Sequence, residues 1–220
     1  MIGTYFVGDR EYIYCIIEIY ALSRKQDGGK ANEDAFLIGR GETPFATLCD
    51  GAANAEQSAK RVLSFFEKLF KEAKREDIEC FPTWVKWVKL MDSMLLGGNQ
   101  STFVSIAVLE GRYMGTCVGD SRAYLRDRNG QIRIITERAS KHRLGSGKVT
   151  PFPIDIPSNR GDLLLLMSDG AWTPINIYKL KKLLTKLVFC HPSDIPSTIL
   201  DEAGKAGRAD DMTVVVMKKT

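Results

Sequence analysis

The sequence predicts an α+β fold built in layers, with antiparallel β-sheets at the centre and helices grouped in pairs outside them. Three observations predict it. Short β-branched and aromatic runs joined by tight turns recur along the 220 residues. Two pairs of segments with helical periodicity interrupt those runs. Strand and helix do not alternate, as a parallel doubly wound sheet would require. The length suits one core of the larger kind, so one domain over residues 1–220 is expected.

The elements follow in order. YIYCIIEIY, Tyr12 to Tyr20, reads as a strand, followed by the turn SRKQDGGK. AFLIG (Ala35 to Gly39) and PFATLCD (Pro44 to Asp50) read as two more strands joined by a short turn. From Ala55 the period changes: Val62, Phe66, Leu69, Phe70 and Ala73 fall on one helical face, with lysines and glutamates between them. Trp84, Val88, Met91 and Leu95 mark a second helix, stopped by Gly97 and Gly98. Strands return as STFVSIAVL, RYMGTCVG and SRAYLRD, then QIRII after the turn at Asn129-Gly130. Residues 139–160 are rich in Gly, Pro, Ser and basic residues and are expected to form an irregular loop. A buried strand from Asp162 to Ser168 follows, then helices over about Ile175 to Val188 and Ser193 to Lys205, and a last strand from Met212 to Lys218.

Composition removes several function classes. The net charge of +4 is mild, and the lysines at 68, 71, 74, 179, 181, 182 and 186 read as solvated helix faces; with no ribonucleoprotein or helix-turn-helix pattern, no nucleic-acid partner is expected. No apolar run approaches the roughly 20 residues of a membrane span, and no secretory leader pattern opens the chain, so no membrane partner and a cytoplasmic location are expected. The five cysteines form no Cys-x-x-Cys pair and read as reduced core residues. Two histidines, His142 and His191, are too few for a histidine-rich metal site.

Carboxylates gather where strands end. Glu33-Asp34 precedes AFLIG, Asp50-Gly51 closes PFATLCD, Asp120 lies in Gly119-Asp120-Ser121-Arg122 between two strands, Asp169-Gly170 closes LLLLMS, and Asp210-Asp211 precedes the last strand. Singly, each is an ordinary turn. Brought together, several carboxylates in one small volume would repel one another and lose hydration, and a divalent cation relieves both costs. All-oxygen ligands suit magnesium or manganese.

This ordered set resembles the metal-dependent Ser/Thr protein phosphatases of the type-2C family, in the compact form of its bacterial members. The matching stretches are NEDAFLI (32–38), FATLCDGAANAEQSAKRV (45–62), GGNQSTFVSIAVLEGRYMGTCVGDSRAYL (97–125), GDLLLLMSDGAW (161–172) and ADDMTVVVM (209–217). The resemblance implies a four-layer α-β-β-α sandwich, with two central antiparallel β-sheets flanked by helix pairs. It implies two Mn2+ or Mg2+ ions and hydrolysis of phosphoserine or phosphothreonine by direct attack of a metal-bridging water, with no protein nucleophile. By position, Asp50 matches the bridging ligand and Gly51 the carbonyl ligand beside it. Asp169 and Asp210 match the other direct ligands, so that Asp50, Asp169 and Asp210 carry catalysis. Glu33 and Asp34 match the pair that holds metal-bound waters, Asp120 matches the ligand of a third ion in bacterial members, and Asp211 stands behind the ligands.

The chain departs from the family at three places. The phosphate-binding arginine expected four residues before Glu33 is Gly29, leaving Lys30 as the substrate-binding candidate, a point charge without the guanidinium fork. The usual glycine pair after Asp-Gly is replaced by Ala-Asn, and Ala52 stands where eukaryotic members have a histidine. The stretch from Thr136 to Arg160 is short for the substrate-facing flap. Arg122 and Trp172 are expected to be structural, Trp172 in the core. These departures keep open a competing reading, a pseudophosphatase module that binds a phosphoprotein or kinase partner without turnover. Expected partners are a phosphoserine or phosphothreonine protein and, by family analogy, a cognate kinase; a monomer is expected.

Overall fold

The computed structural model describes residues 4–7, 10–13, 16–29, 31–52, 56–187, 190–207 and 209–220. One sheet has the strand order β10 (Ile132–Ile134), β9 (Arg122–Arg126), β12 (Leu163–Met167), β13 (Met212–Lys219) and β3 (Ile17–Arg24). The other runs β11 (Phe152–Pro157), β8 (Arg112–Val118), β7 (Phe103–Leu109), β5 (Phe45–Ala52) and β4 (Asp34–Gly39), with the short β6 (Gln100–Ser101) paired to the end of β5. Every pairing is antiparallel among the described residues.

The period-two alternation of each central strand separates three apolar cores. In β12, Leu164 and Leu166 point into the space between the sheets, while Leu163, Leu165 and Met167 face the helices outside. In β13, Val215 and Met217 point inward, and Met212, Val214 and Val216 outward. The second sheet repeats the pattern: Ala46, Leu48, Val104 and Ile106 meet β12 and β13 in the middle, and Phe45, Cys49, Phe103 and Ala107 face the other helix layer. Three cores therefore separate four layers. This explains why strands buried on both faces read as unbroken apolar runs.

The outer layers are amphipathic helices. α1 (Glu56–Glu72) buries Ala59, Val62, Leu63, Phe66 and Phe70, and α3 (Phe81–Leu95) buries Trp84, Trp87, Val88, Met91 and Leu95. Phe66 stacks edge-on to Phe45 and Phe103, and the Trp84 indole donates to the Ile78 carbonyl at 2.8 Å, so the ring's one polar atom is satisfied inside the core. Each fully buried aromatic or leucine of this kind contributes about 1.5–3 kcal/mol relative to exposure. On the opposite side, α5 (Ile177–Lys186) and α6 (Asp194–Gly204) cover β12 and β13 with Leu180, Leu184, Ile195, Ile199 and Leu200. Asn176 caps α5 by accepting the Lys179 N–H at 2.9 Å.

Several expected boundaries shift. The strand expected over residues 12–20 is divided: its start belongs to β2 (Arg10–Ile13), hairpinned with β1 (Thr4–Val7), and its end to β3, with Tyr14 and Cys15 outside the described residues. A short helix, α2 (Arg75–Ile78), lies between the two expected ones. The expected irregular loop contains β11, an edge strand on β8; Pro153 and Pro157 hid it, and edge strands are where prolines are tolerated. Asp50-Gly51 does not turn the chain, because β5 continues to Ala52. Asp169-Gly170 opens a single helical turn, α4 (Asp169–Trp172). The four described cysteines are unpaired, but only Cys49 and Cys117 are in the core; Cys80 and Cys190 are exposed.

Candidate active site

The site lies where β4, β5 and β12 end on the same side of the two sheets. Asp34 and Asp50 are opposite one another in the β4–β5 register. Thr102 clamps the backbone of Asp50: its hydroxyl accepts the Asp50 N–H at 2.9 Å, and its own N–H donates to the Asp50 carbonyl at 2.8 Å. Ser121 shares a 2.7 Å hydrogen bond with the Thr102 hydroxyl, which ties the loop of Asp120 to the same strand end.

Across the sandwich, Ser168 joins the sheets. Its hydroxyl donates to Asp34 at 2.7 Å and accepts the Thr213 N–H at 2.9 Å. Asp169 follows as the first residue of α4. Gly170 is required there because a Cβ would stand 2.1 Å from the Asp211 carbonyl oxygen. The leucine run is thus a rigid rod that ends by delivering Ser168 to Asp34 and Asp169 to the cleft.

Three carboxylates meet. Oxygens of Asp50, Asp120 and Asp169 all lie within 4.8 Å of one another. Burial, with the neighbouring charges of Asp34 and Asp169, pushes Asp50 up to about 9. Burial raises Asp34 to about 7 against the pull of Ser168 and Thr213, and Asp169 is raised by burial and by Asp210. Among the described residues, the Oδ2 of Asp50 is buried without a hydrogen-bond partner. A carboxylate oxygen in that position, among other oxygen donors, fits a hard divalent cation.

The remaining sequence-predicted residues fall around this trio. Asp210 is not a member; it raises the pKa of Asp169 and shares with it a cleft of about 480 Å³ lined also by Gly170, Thr173 and Pro174. Gly51 donates its N–H to the Glu33 carbonyl at 3.1 Å. Asp211 accepts the N–H groups of Gln26 at 2.7 Å and Glu33, so it shapes the loop that bears Glu33 and Asp34. Lys30 lies outside the described residues.

One residue departs from its expected role, and another was not expected at all. The Arg122 guanidinium, expected to be structural, lies 3.5 Å over the Trp172 ring. Trp172 is only partly buried, donates to the Asp120 carbonyl at 3.0 Å, and lines with Arg122, Asp120, Lys141 and Asp169 a second cleft of about 190 Å³. Arg143 enters the trio itself, its Nη2 lying 3.1 Å from Asp120 and 3.6 Å from both Asp50 and Asp169. Its only sequence signal was its place in a basic, glycine-rich stretch, which gives no position in space.

No protein-family model and no curated protein sequence matches the chain. Solved structures do match. The serine/threonine phosphatase Stp1 from Staphylococcus aureus is 21% identical with a TM-score of 0.82, and the match covers 97% of this chain and 99% of that one. The catalytic domain of the serine/threonine protein phosphatase PstP, in complex with two manganese ions, is 20% identical with a TM-score of 0.80, covering 94% and 100%. A serine/threonine phosphatase of S. agalactiae is 16% identical with a TM-score of 0.80, covering 92% and 99%. The chain carries the fold of these bacterial serine/threonine phosphatases, the fold that the sequence resemblance implies.

Proposed function

We propose that the chain is a manganese- or magnesium-dependent protein phosphatase acting on phosphoserine and phosphothreonine. The observation that carries this reading is the buried Oδ2 of Asp50, which has no hydrogen-bond partner among the described residues, beside the carboxylates of Asp120 and Asp169. On this reading Asp50, Asp169 and Asp210 hold two cations, with the Gly51 carbonyl beside Asp50, Glu33 and Asp34 placing waters, and Asp120 serving a third ion. Such cations, when bound, would supply hydroxide near neutral pH and offset charge on the phosphoryl oxygens.

The protein's own part is positioning. Ser168 and Thr102 fix Asp34 and Asp50 by short hydrogen bonds from opposite sheets, so the ligand set does not rearrange during turnover. The two clefts meet at Asp169, which leaves room for a peptide to pass the site on both sides of the phosphorylated residue. A cysteine route is disfavoured: burial pushes Cys117 up to about 12 and Cys49 well above the usual thiol range. Lys30 is retained as a proposed phosphate contact. A monomer, a cognate kinase as partner and a cytoplasmic location complete the proposal. The cysteines support the last, since the four described are unpaired.

The test is hydrolysis of p-nitrophenyl phosphate under manganese titration. Turnover should rise with manganese, vanish with chelator, and fall roughly a hundredfold or more in Asp50→Asn. Unchanged turnover in Asp50→Asn at saturating manganese would refute the reading. No manganese binding by calorimetry at millimolar ion would favour the pseudophosphatase module.

A further inference from the structure

We propose that Arg143 is the residue that grips the substrate phosphate at this site, supplying the guanidinium fork absent at Gly29. The inference rests on the proposed phosphatase function and adds to it a substrate-binding residue.

The loop between β10 and β11 is built to hold Arg143 in place. Leu144, next to it, is fully buried and forms a two-way backbone bridge with Ser101, donating at 2.8 Å and accepting at 3.2 Å. Ser101 is in β6 and pairs with Gly51, so Arg143 is fastened to the strand that carries Asp50. Just beyond Leu144, Asp92 of α3 accepts the N–H groups of Gly145 at 2.7 Å and Gly147 at 3.2 Å. Gly145 has φ +89°, and a Cβ there would stand 2.1 Å from the Asn99 carbonyl oxygen, so the chain passes where only glycine fits. On the N-terminal side, the Ser140 carbonyl accepts the Gly119 N–H at 3.1 Å, so ties to separate elements hold the chain before and after the arginine.

The charge of the side chain is placed to match. Among the described residues, Arg143 is the only cation within ion-pair distance of the trio. All of its contacts use Nη2, and only those to Asp120, at 3.1 and 3.4 Å, are of hydrogen-bond length. Among the described residues Nε and Nη1 have no acceptor within hydrogen-bond distance, which leaves donors for two oxygens of a tetrahedral, doubly charged phosphate. A cation held by the same carboxylates would compete with Nη2, and the anchored backbone would keep the guanidinium beside the cleft, its remaining donors open to a phosphoryl group. The other nearby arginine, Arg122, is engaged on Trp172.

The experiment compares the full chain with Arg143→Ala and Arg143→Lys. Manganese binding is measured by calorimetry, and inorganic phosphate is measured as a competitive inhibitor of phosphothreonine-peptide hydrolysis. Arg143→Ala should bind manganese as tightly as the parent or tighter, with the phosphate inhibition constant raised roughly ten- to hundredfold. Arg143→Lys should recover only part of that loss, because an ammonium lacks the fork. An unchanged phosphate constant in Arg143→Ala, or in Arg143→Lys should the alanine variant not fold, overturns the assignment. So does loss of manganese binding in a folded Arg143→Ala. If the parent binds no manganese and hydrolyses nothing, the proposed function falls and takes this inference with it. If the parent does both and only the phosphate constant fails to move, Arg143 alone is misassigned.

Discussion

Replacing Asp50 by asparagine removes an ionisable carboxyl from a volume where Asp34, Asp120 and Asp169 already crowd together, and it keeps the size of the side chain. Burial and those neighbours raise Asp50 from 3.8 to about 9 on folding, so ionising it favours the unfolded chain. At about pH 7.5 the full linkage sets a ceiling of about 5 kcal/mol on the cost that asparagine avoids. Against this stands the new amide, whose buried polar atoms lack full partners at a cost of about 1–3 kcal/mol. The net expectation is stabilisation on the order of 2 kcal/mol in the presence of chelator, or about 4–8 °C in Tm for a chain of this size. Differential scanning calorimetry with chelator measures it, and a manganese titration of the same sample should give little of the upward Tm shift seen in the parent. A lower Tm for Asp50→Asn in chelator would refute the reasoning, because it would mean that the charge stabilises the fold by itself.

Three further outcomes are expected. In chelator, stability should fall as pH rises from about 4 towards about 9, because across that window the folded chain holds protons on its raised carboxylates that the unfolded chain has released; manganese affinity should rise over the same window, since the cation displaces those protons, and thermal melts at several pH values check both. Ser168→Ala removes the donor to buried Asp34 and the acceptor of the Thr213 N–H, and should cost roughly 2 kcal/mol in chemical denaturation with weaker manganese binding. Asp92→Ala releases Gly145 and Gly147, and should raise KM for a phosphopeptide severalfold while leaving manganese affinity unchanged by calorimetry.

The layers were legible because each relies on a local signal. In LLLLMSDG the apolar run already required burial on both faces, and alternation in β12 assigns its leucines to two cores in turn. The helices were legible from Val62, Phe66 and Phe70 and from Trp84, Val88 and Met91, whose spacing is the face they bury. β11 was not, because its pairing with β8 overrides what Pro153 and Pro157 suggest in isolation. The acidic residues were visible at strand ends, yet their grouping was not. The structure gathers Asp120 with Asp50 and Asp169 and leaves Asp210 at the flank, a distinction set by tertiary position alone. Arg143 reaches the site because Leu144 bridges to Ser101, a contact between residues 43 positions apart that no local pattern encodes.

On the proposed function, the clustered carboxylates hold cations that support hydrolysis of phosphorylated side chains. Phosphate release from a phosphothreonine peptide, with and without manganese, in the parent and in Asp169→Asn, tests it most directly. Release should depend on manganese in the parent and be nearly abolished in Asp169→Asn. Release that is independent of manganese, or retained by Asp169→Asn with manganese saturating, would contradict it.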